Sequence, residues 1–261
     1  MDLGINQKIA LVFGAGSGLG QAMAISLAQE GARVVLAGRT KEKLENTAQQ
    51  INSMGAQSLV LPWDLSNISA IDSQFSVIEK TWEPVDILIN NTGGPPATLA
   101  EGQSIDLWLE KFQEMILSVI KITDRALPAM KAQQWGRIIT STSSGAISPI
   151  PNLGISNTLR ASLHAWSKSL AKEVAPHGVT SNILVPGRIS TERIKSLDQI
   201  NAIKENKSVE QIAAENLKLI PVGRLGKTVE YGSAAAFLAS THSSYITGSV
   251  IRVDGGLISS I

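Results

Sequence analysis

Seven short apolar runs recur along the chain, and between most of them lie longer stretches whose apolar residues return every three or four positions. The runs are Lys8–Phe13, Arg33–Ala37, Ser58–Leu61, Val85–Asn90, Arg137–Ser141, Thr180–Val185 and Ser249–Val253. They are near-continuously apolar, the pattern of strands covered on both faces. The longer stretches, Gly18–Gln29, Lys41–Met54, Ile68–Trp82, Ile105–Lys131, Leu153–Val174 and Thr228–Ser240, predict helices. Strand and helix in strict alternation leave few architectures open: an α/β chain with a doubly wound parallel sheet of about seven strands and helices on both faces. One stretch breaks the rhythm. Arg188–Leu219 is polar and helical in pattern and delays the last strand. A long insertion of this kind is expected to be a substrate lid over 188–219, or else a surface excursion.

Composition narrows the chemistry. Hydrophobic residues make up 43% of the 261 and the formal net charge is +1, which allows a sizeable core and gives no support for binding nucleic acid or a membrane surface. Cysteine is absent, which excludes thiolate nucleophiles, disulfides and cysteine metal sites. His164, His177 and His242 are too scattered for a metal site. No apolar run reaches the ~18 residues that span a bilayer, and no basic head precedes an apolar stretch at the N-terminus. A cytoplasmic protein is expected.

The first strand runs into LVFGAGSGLGQAMA, with glycine at 14, 16, 18 and 20. The strict GxGxxG spacing is missing, and Gly14-x-x-x-Gly18-x-Gly20 stands in its place. The physical need is the same: a tight turn, a backbone that a pyrophosphate can approach, and a helix N-terminus aimed at it. Ser17 and Leu19 fall inside this turn. The second strand ends VVLAGRTKEK, with no acidic residue to accept from a ribose 2′-hydroxyl. Arg39 offers a charged donor fork suited to a 2′-phosphate, and Thr40 adds a hydroxyl. The reading favours NADP(H) over NAD(H), with a surface arginine as the plain alternative. No repeat, low-complexity tract or Pro/Gly linker divides the chain, so residues 1–261 are read as a single dinucleotide-binding domain.

These motifs, with Asp64 after the third strand, NNTG at 90–93, Ser143 after the fifth, VPGRIST at 185–191 and ITGSVIRVDGG at 246–256, resemble the short-chain dehydrogenase/reductase family over nearly the whole length. The resemblance implies a Rossmann-like fold, nicotinamide-dependent hydride transfer and, in many members, a tetramer. It places Asp64 and Leu65 at the adenine, Asn90, Asn91 and Gly93 near a ribose, and Pro186, Gly187 and Thr191 at the nicotinamide end. NNTGGPPA, GISNTLR and VPGRISTER are similar to a divergent branch related to β-ketoacyl-carrier-protein reductase.

The departures lie in the catalytic set. Ser143 matches the family's serine, but Met115 stands at its asparagine, Ser156 at its tyrosine and Arg160 at its lysine, and Phe13 replaces a threonine before the first glycine. Reducing a carbonyl requires a proton for the developing alkoxide. The family's tyrosine gives that proton with its pKa lowered by the lysine. Serine is a poorer and shorter acid, while arginine stays protonated yet can bind hydroxyls and stabilise negative charge. Three readings stay open. The chain acts on a small carbonyl or alcohol, 3-oxoacyl-type by resemblance, with Ser143, Arg160 and a proton from water or substrate. Or it binds NADP(H) silently as a sensor or assembly partner. Or it runs non-redox chemistry on the same scaffold. A small-molecule substrate and a homo-oligomer, tetramer or dimer, are the expected partners, with no nucleic acid and no membrane. His164 is expected to be structural, and Trp108, Trp135 and Trp166 to serve packing.

Overall fold

The computed structural model describes residues 2–260. Its seven strands, β1 (Ile9–Phe13), β2 (Arg33–Gly38), β3 (Ser58–Pro62), β4 (Ile87–Asn91), β5 (Gly136–Ser141), β6 (Val179–Pro186) and β7 (Val250–Val253), form one sheet in the order β3-β2-β1-β4-β5-β6-β7. Every pairing is parallel. The helices are α1 (Gly18–Gln29), α2 (Lys41–Ser53), α3 (Ile71–Thr81), α4 (Ile105–Phe112), α5 (Ser118–Ala132), α6 (Gly154–Val174), α7 (Glu192–Glu205), α8 (Val209–Lys218) and α9 (Thr228–Ala239). The expected strands stand within two residues of their predicted bounds.

Alternation along β1 shows why the runs are apolar throughout. Ala10 and Val12 enter one core with Met23 and Leu27 of α1 and Tyr231 of α9. Ile9, Leu11 and Phe13 enter the other, with Phe75 of α3 and Met130 of α5. Both faces of the strand are dry, so no position tolerates a polar side chain. The chain crosses from β3 at one edge to β4 beside β1, and the sheet's winding reverses there. The carboxyl ends of β1 and β4 therefore diverge into a crevice, the place where open α/β sheets hold ligands.

One expectation needs correcting. The stretch Ile105–Lys131 is not one regular helix: a π-helical turn, Gln113–Leu117, separates α4 from α5. Here the Ser118 hydroxyl donates to the Glu114 carbonyl at 2.6 Å, and apolar periodicity does not reveal the wider turn. Asp86, just before β4, is a buried brace, 6% exposed. It accepts from the Ile9 amide at 2.8 Å, from Lys8 Nζ at 3.1 Å and from Gln133 Nε2 at 3.0 Å. The carboxylate ties β1, β4 and the end of α5 at the foot of the sheet.

Asp86→Ala leaves a buried amide without an acceptor and is expected to cost about 2 kcal/mol in urea unfolding. Asp72→Ala removes a carboxylate that is 90% exposed and pairs with Arg125 at 3.1 Å, and is expected to cost under about 0.5 kcal/mol. Equal losses would show that Asp86 is no brace.

Candidate active site

At the end of β1 the chain must reverse into α1 while staying close to β4. Gly14 adopts φ +65°, a left-handed conformation that side chains disfavour. A Cβ on Gly20 would stand 2.2 Å from the Gly14 carbonyl oxygen, so the first turn of α1 lies on the loop with no room for a methyl. Asn91 holds the loop from the other side of the switch point, donating from Nδ2 to the Phe13 carbonyl at 3.1 Å. Ser17 is the N-cap of α1 in extended backbone, and its side chain makes no capping bond. The amides of the first turn and the serine hydroxyl are thus left for another acceptor.

The glycine turn is one wall of a cleft of about 730 Å³. Next to it lie Arg39 and Thr40, and Thr40 is the N-cap of α2. Lys43, one turn into α2, lines the same corner with its side chain packed over Gly16. Across from them, Asp64 accepts from the Ser66 amide at 3.0 Å and the Ser66 hydroxyl at 2.8 Å. Those bonds, the backbone one foremost, hold its carboxyl below the usual range. Leu65 and Trp63 complete that end, and Phe13 meets Trp63 edge-on at 4.9 Å.

The other end is built on β5 and α6. Ser143 caps a short 3-10 turn, and its Oγ accepts from the Gly145 amide at 3.1 Å. With that acceptor role filled, its hydrogen is free to point into the cleft. Ser156 and Arg160 sit one turn apart on α6 and both line the cleft. Arg160 is 6% exposed and meets no carboxylate among the described residues. Its guanidinium donates to the carbonyls of Ser141 (3.3 Å), Thr92 (3.2 Å) and Gly93 (3.3 Å). Burial lowers its pKa to about 10, which leaves it charged at neutral pH. Met115, on the π turn, is buried at the same end. Gly93, Pro186, Gly187 and Thr191 close the far wall, and a Cβ on Gly18 would lie 3.6 Å from the Thr191 methyl, which joins that wall to the glycine turn.

All the residues singled out from the sequence as site candidates line this one cleft except Asn90. That side chain is 2% exposed and turns away, donating to Thr123 Oγ1 at 3.2 Å between β4 and α5. The neighbouring strand position faces the ligand side, and a strand's alternation permits only one of the two. His164 is structural as expected: its Nε2 bonds Thr142 Oγ1 at 3.0 Å, behind the cleft wall. Neither tyrosine replaces the missing acid. Tyr231 is fully buried on α9 and outside the cleft. Its hydroxyl donates to the Leu184 carbonyl at 3.0 Å, so Ser141 Oγ, 2.8 Å away, must donate to it. Burial pushes the phenol well above its usual range, which keeps its proton in place. Tyr245 is fully exposed.

The stretch 188–219 folds as α7 and α8, and α7 contributes Leu197, Ile200, Asn201 and Lys204 to the cleft. Arg188 pairs with the buried Asp198, which also accepts from Asn216 of α8 at 3.0 Å. Arg193 reaches across to the Pro95 carbonyl at 3.3 Å. Sequence reasoning missed Lys43, Arg193 and Met115's neighbours Lys111 and Glu114, which pair at 2.9 Å on the cleft wall. Lys43 was within reach, being one helical turn after Arg39.

A family model described as enoyl-(acyl carrier protein) reductase, a short-chain dehydrogenase/reductase model, matches residues 14–258. The chain is 35% identical over 253 residues to the 3-oxoacyl-[acyl-carrier-protein] reductase FabG of Salmonella typhimurium, covering 96% of this chain and 97% of that protein. It is 33% identical over 264 residues to the NADPH-dependent reductase BacG of Bacillus subtilis, covering 98% and 100%. Among solved structures, YwfH, an NADPH-dependent reductase involved in bacilysin biosynthesis, superposes with a TM-score of 0.93 at 30% identity, over 98% of this chain and 100% of that one. The L-sorbose reductase of Gluconobacter frateurii, complexed with NADPH and L-sorbose, gives 0.94 at 26% identity over the whole of both chains. This chain belongs to the short-chain dehydrogenase/reductase family, a family of nicotinamide-dependent oxidoreductases.

Burial lowers the His164 pKa from 6.5. The native state therefore resists a proton that the unfolded chain accepts. The stability tied to neutral His164 is whole above about pH 6.5 and is lost as pH falls through the lower folded value. His164→Gln is expected to remove that part of the acid-side loss, measured as the difference between the two proteins' unfolding curves from pH 7.5 to 5. Parallel curves would contradict it.

Proposed function

We propose that this chain is an NADP(H)-dependent oxidoreductase acting on a small carbonyl or alcohol, of 3-oxoacyl type by the names of its curated relatives. The observation that carries the reading is one cleft with two differently built ends: a glycine turn with unpaired amides beside Arg39, Thr40 and Lys43, and Ser143 with Arg160 opposite. The residues present fit the dinucleotide. Gly20 has no room for a Cβ, the α1 N-terminus lacks a side-chain cap, and the corner at the end of β2 carries two cations, Arg39 and Lys43, suited to a 2′-phosphate. Pro186, Gly187 and Thr191 would hold the nicotinamide end, with Asn91 and Gly93 beside a ribose. When bound, the nicotinamide supplies or accepts a hydride.

The chain's own residues do the rest. Ser143 donates its free hydrogen to the substrate oxygen and fixes its direction. Arg160, a charge held near the strand ends, stabilises negative charge growing on that oxygen. Ser156 is a weak acid on a short side chain that leaves room beside it, and a water in that room, or the substrate itself, gives the proton. The segment 188–219 acts as a lid, with Arg188 and Asp198 holding α7 in place. Neither of the other readings of the altered set, a silent binding role or non-redox chemistry on the same scaffold, has a particular observation behind it. The chain is also read as one domain and a cytoplasmic homo-oligomer. In support of the latter, no described helix is long and apolar enough to cross a membrane, and Ile105, Leu109 and Phe112 form an exposed apolar stripe on α4.

NADPH oxidation with a panel of carbonyl compounds, β-keto thioesters among them, tests this reading. Arg160→Ala is expected to lower kcat by about a hundredfold or more, and Ser156→Ala by far less. The reverse ranking would restore Ser156 as the acid. The pair Arg39→Ala and Lys43→Ala should each weaken NADPH binding by about tenfold or more and leave NADH unchanged. A uniform loss for both nucleotides would place the 2′-phosphate elsewhere.

A further inference from the structure

We infer that the substrate of this cleft carries an oxyanion group, a carboxylate or a phosphate, held between Arg160 and Arg193; this rests on the oxidoreductase reading and names its substrate class. Both guanidiniums flank the same short segment of the loop after β4. Arg160 Nη2 donates to the Gly93 carbonyl at 3.3 Å, and Arg193 Nη2 to the Pro95 carbonyl at 3.3 Å. A Cβ on Gly94, between them, would lie 3.3 Å from Arg193 Nη2. One arginine stands on α6 and the other on α7, and both line the cleft.

Neither has a carboxylate partner among the described residues. The cleft's three carboxylates are already engaged: Asp64 by Ser66, Glu114 by Lys111 at 2.9 Å, and Glu192 by Lys195 at 2.6 Å. Burial pulls the Arg160 pKa down to about 10; Tyr231 opposes that shift, and the nearby Arg193 charge adds a smaller push downward. The two arginines thus repel each other, and one is almost wholly out of water. A buried charge without a counter-ion costs free energy that a bound anion would return. Arg137, at the foot of the sheet, is likewise buried and hydrogen-bonded to backbone carbonyls alone, but Arg160 differs from it in lining the cleft beside a second arginine. The dinucleotide's 2′-phosphate belongs in the corner beside Arg39 and Lys43, and its pyrophosphate on the amides of the first turn of α1, so neither calls for this pair. A guanidinium fork matches carboxylate and phosphate oxygens alike. The neutral backbone carbonyls now touching both forks position them without neutralising them.

Calorimetric titrations into the protein saturated with NADP+ test this with matched probes: acetoacetate and methyl acetoacetate, pyruvate and methyl pyruvate, dihydroxyacetone phosphate and dihydroxyacetone. At least one anion is expected to bind about tenfold or more tighter than its neutral partner, with affinity falling as salt rises. Which pair shows the preference separates carboxylate from phosphate. Arg193→Gln, on an exposed side chain, should remove most of that preference while NADP+ still binds, and Arg193→Lys should restore part of it. Arg160→Gln should do the same if a melting curve shows it folded. No preference in any pair, or a preference that survives Arg193→Gln, overturns the inference while the cofactor reading stands. Failure of NADP+ to bind overturns both.

Discussion

Arg160 is the group around which this cleft is organised. A charged guanidinium buried at the sheet's carboxyl edge must be satisfied by hydrogen bonds or it will not stay. The chain satisfies it with carbonyls from the ends of two strands, Thr92 and Gly93 beyond β4 and Ser141 at the end of β5. Those bonds tie the end of β5 to the loop after β4, and so fix the wall of the cleft that carries Ser143. The neighbouring bonds reinforce it. Ser141 donates to the Tyr231 hydroxyl, and Thr142 is held by His164. Ser143, the next residue, is thereby presented from a rigid base, as a group that must orient an oxygen needs to be.

The dinucleotide end obeys a different constraint, close approach. The first turn of α1 rests on the Gly14 carbonyl, Asn91 ties the loop to β4, and no side chain intrudes. A lysine at 160 would bring the same charge but not the planar fork that spans carbonyls of two strands. The exchange of lysine for arginine thus trades a mobile point charge for a fixed one. That suits a site in which charge is stabilised where it develops and the proton is brought from elsewhere. The fold and the cofactor class follow from kinship, while the substrate requires its own argument.

Much of this was legible in the sequence because it depends on local rules. Period, β-branching and glycine placement locate the strands, the switch point and the nucleotide turn, and the end of β2 announces the phosphate corner. The remainder depends on which elements meet. The π turn at Gln113–Leu117 leaves no mark in an apolar pattern, yet it sets where Met115 falls. A paired Asn90-Asn91 does not say which side chain faces the ligand; that is decided by the alternation of β4 once it is seated between β1 and β5. Arg193 reads as an ordinary surface arginine until α7 folds back over the loop after β4. That Tyr231 lies buried under Ser141 is decided only when α9 packs against the sheet.

The central claim is that one crevice, at the junction of β1 and β4, holds the dinucleotide. Hydrogen–deuterium exchange with and without saturating NADPH measures this directly. The account predicts slowed exchange in three separated stretches, 14–20, 38–43 and 186–193, and little change at the foot of the sheet around Asp86. Protection confined to other stretches, or none, would contradict it.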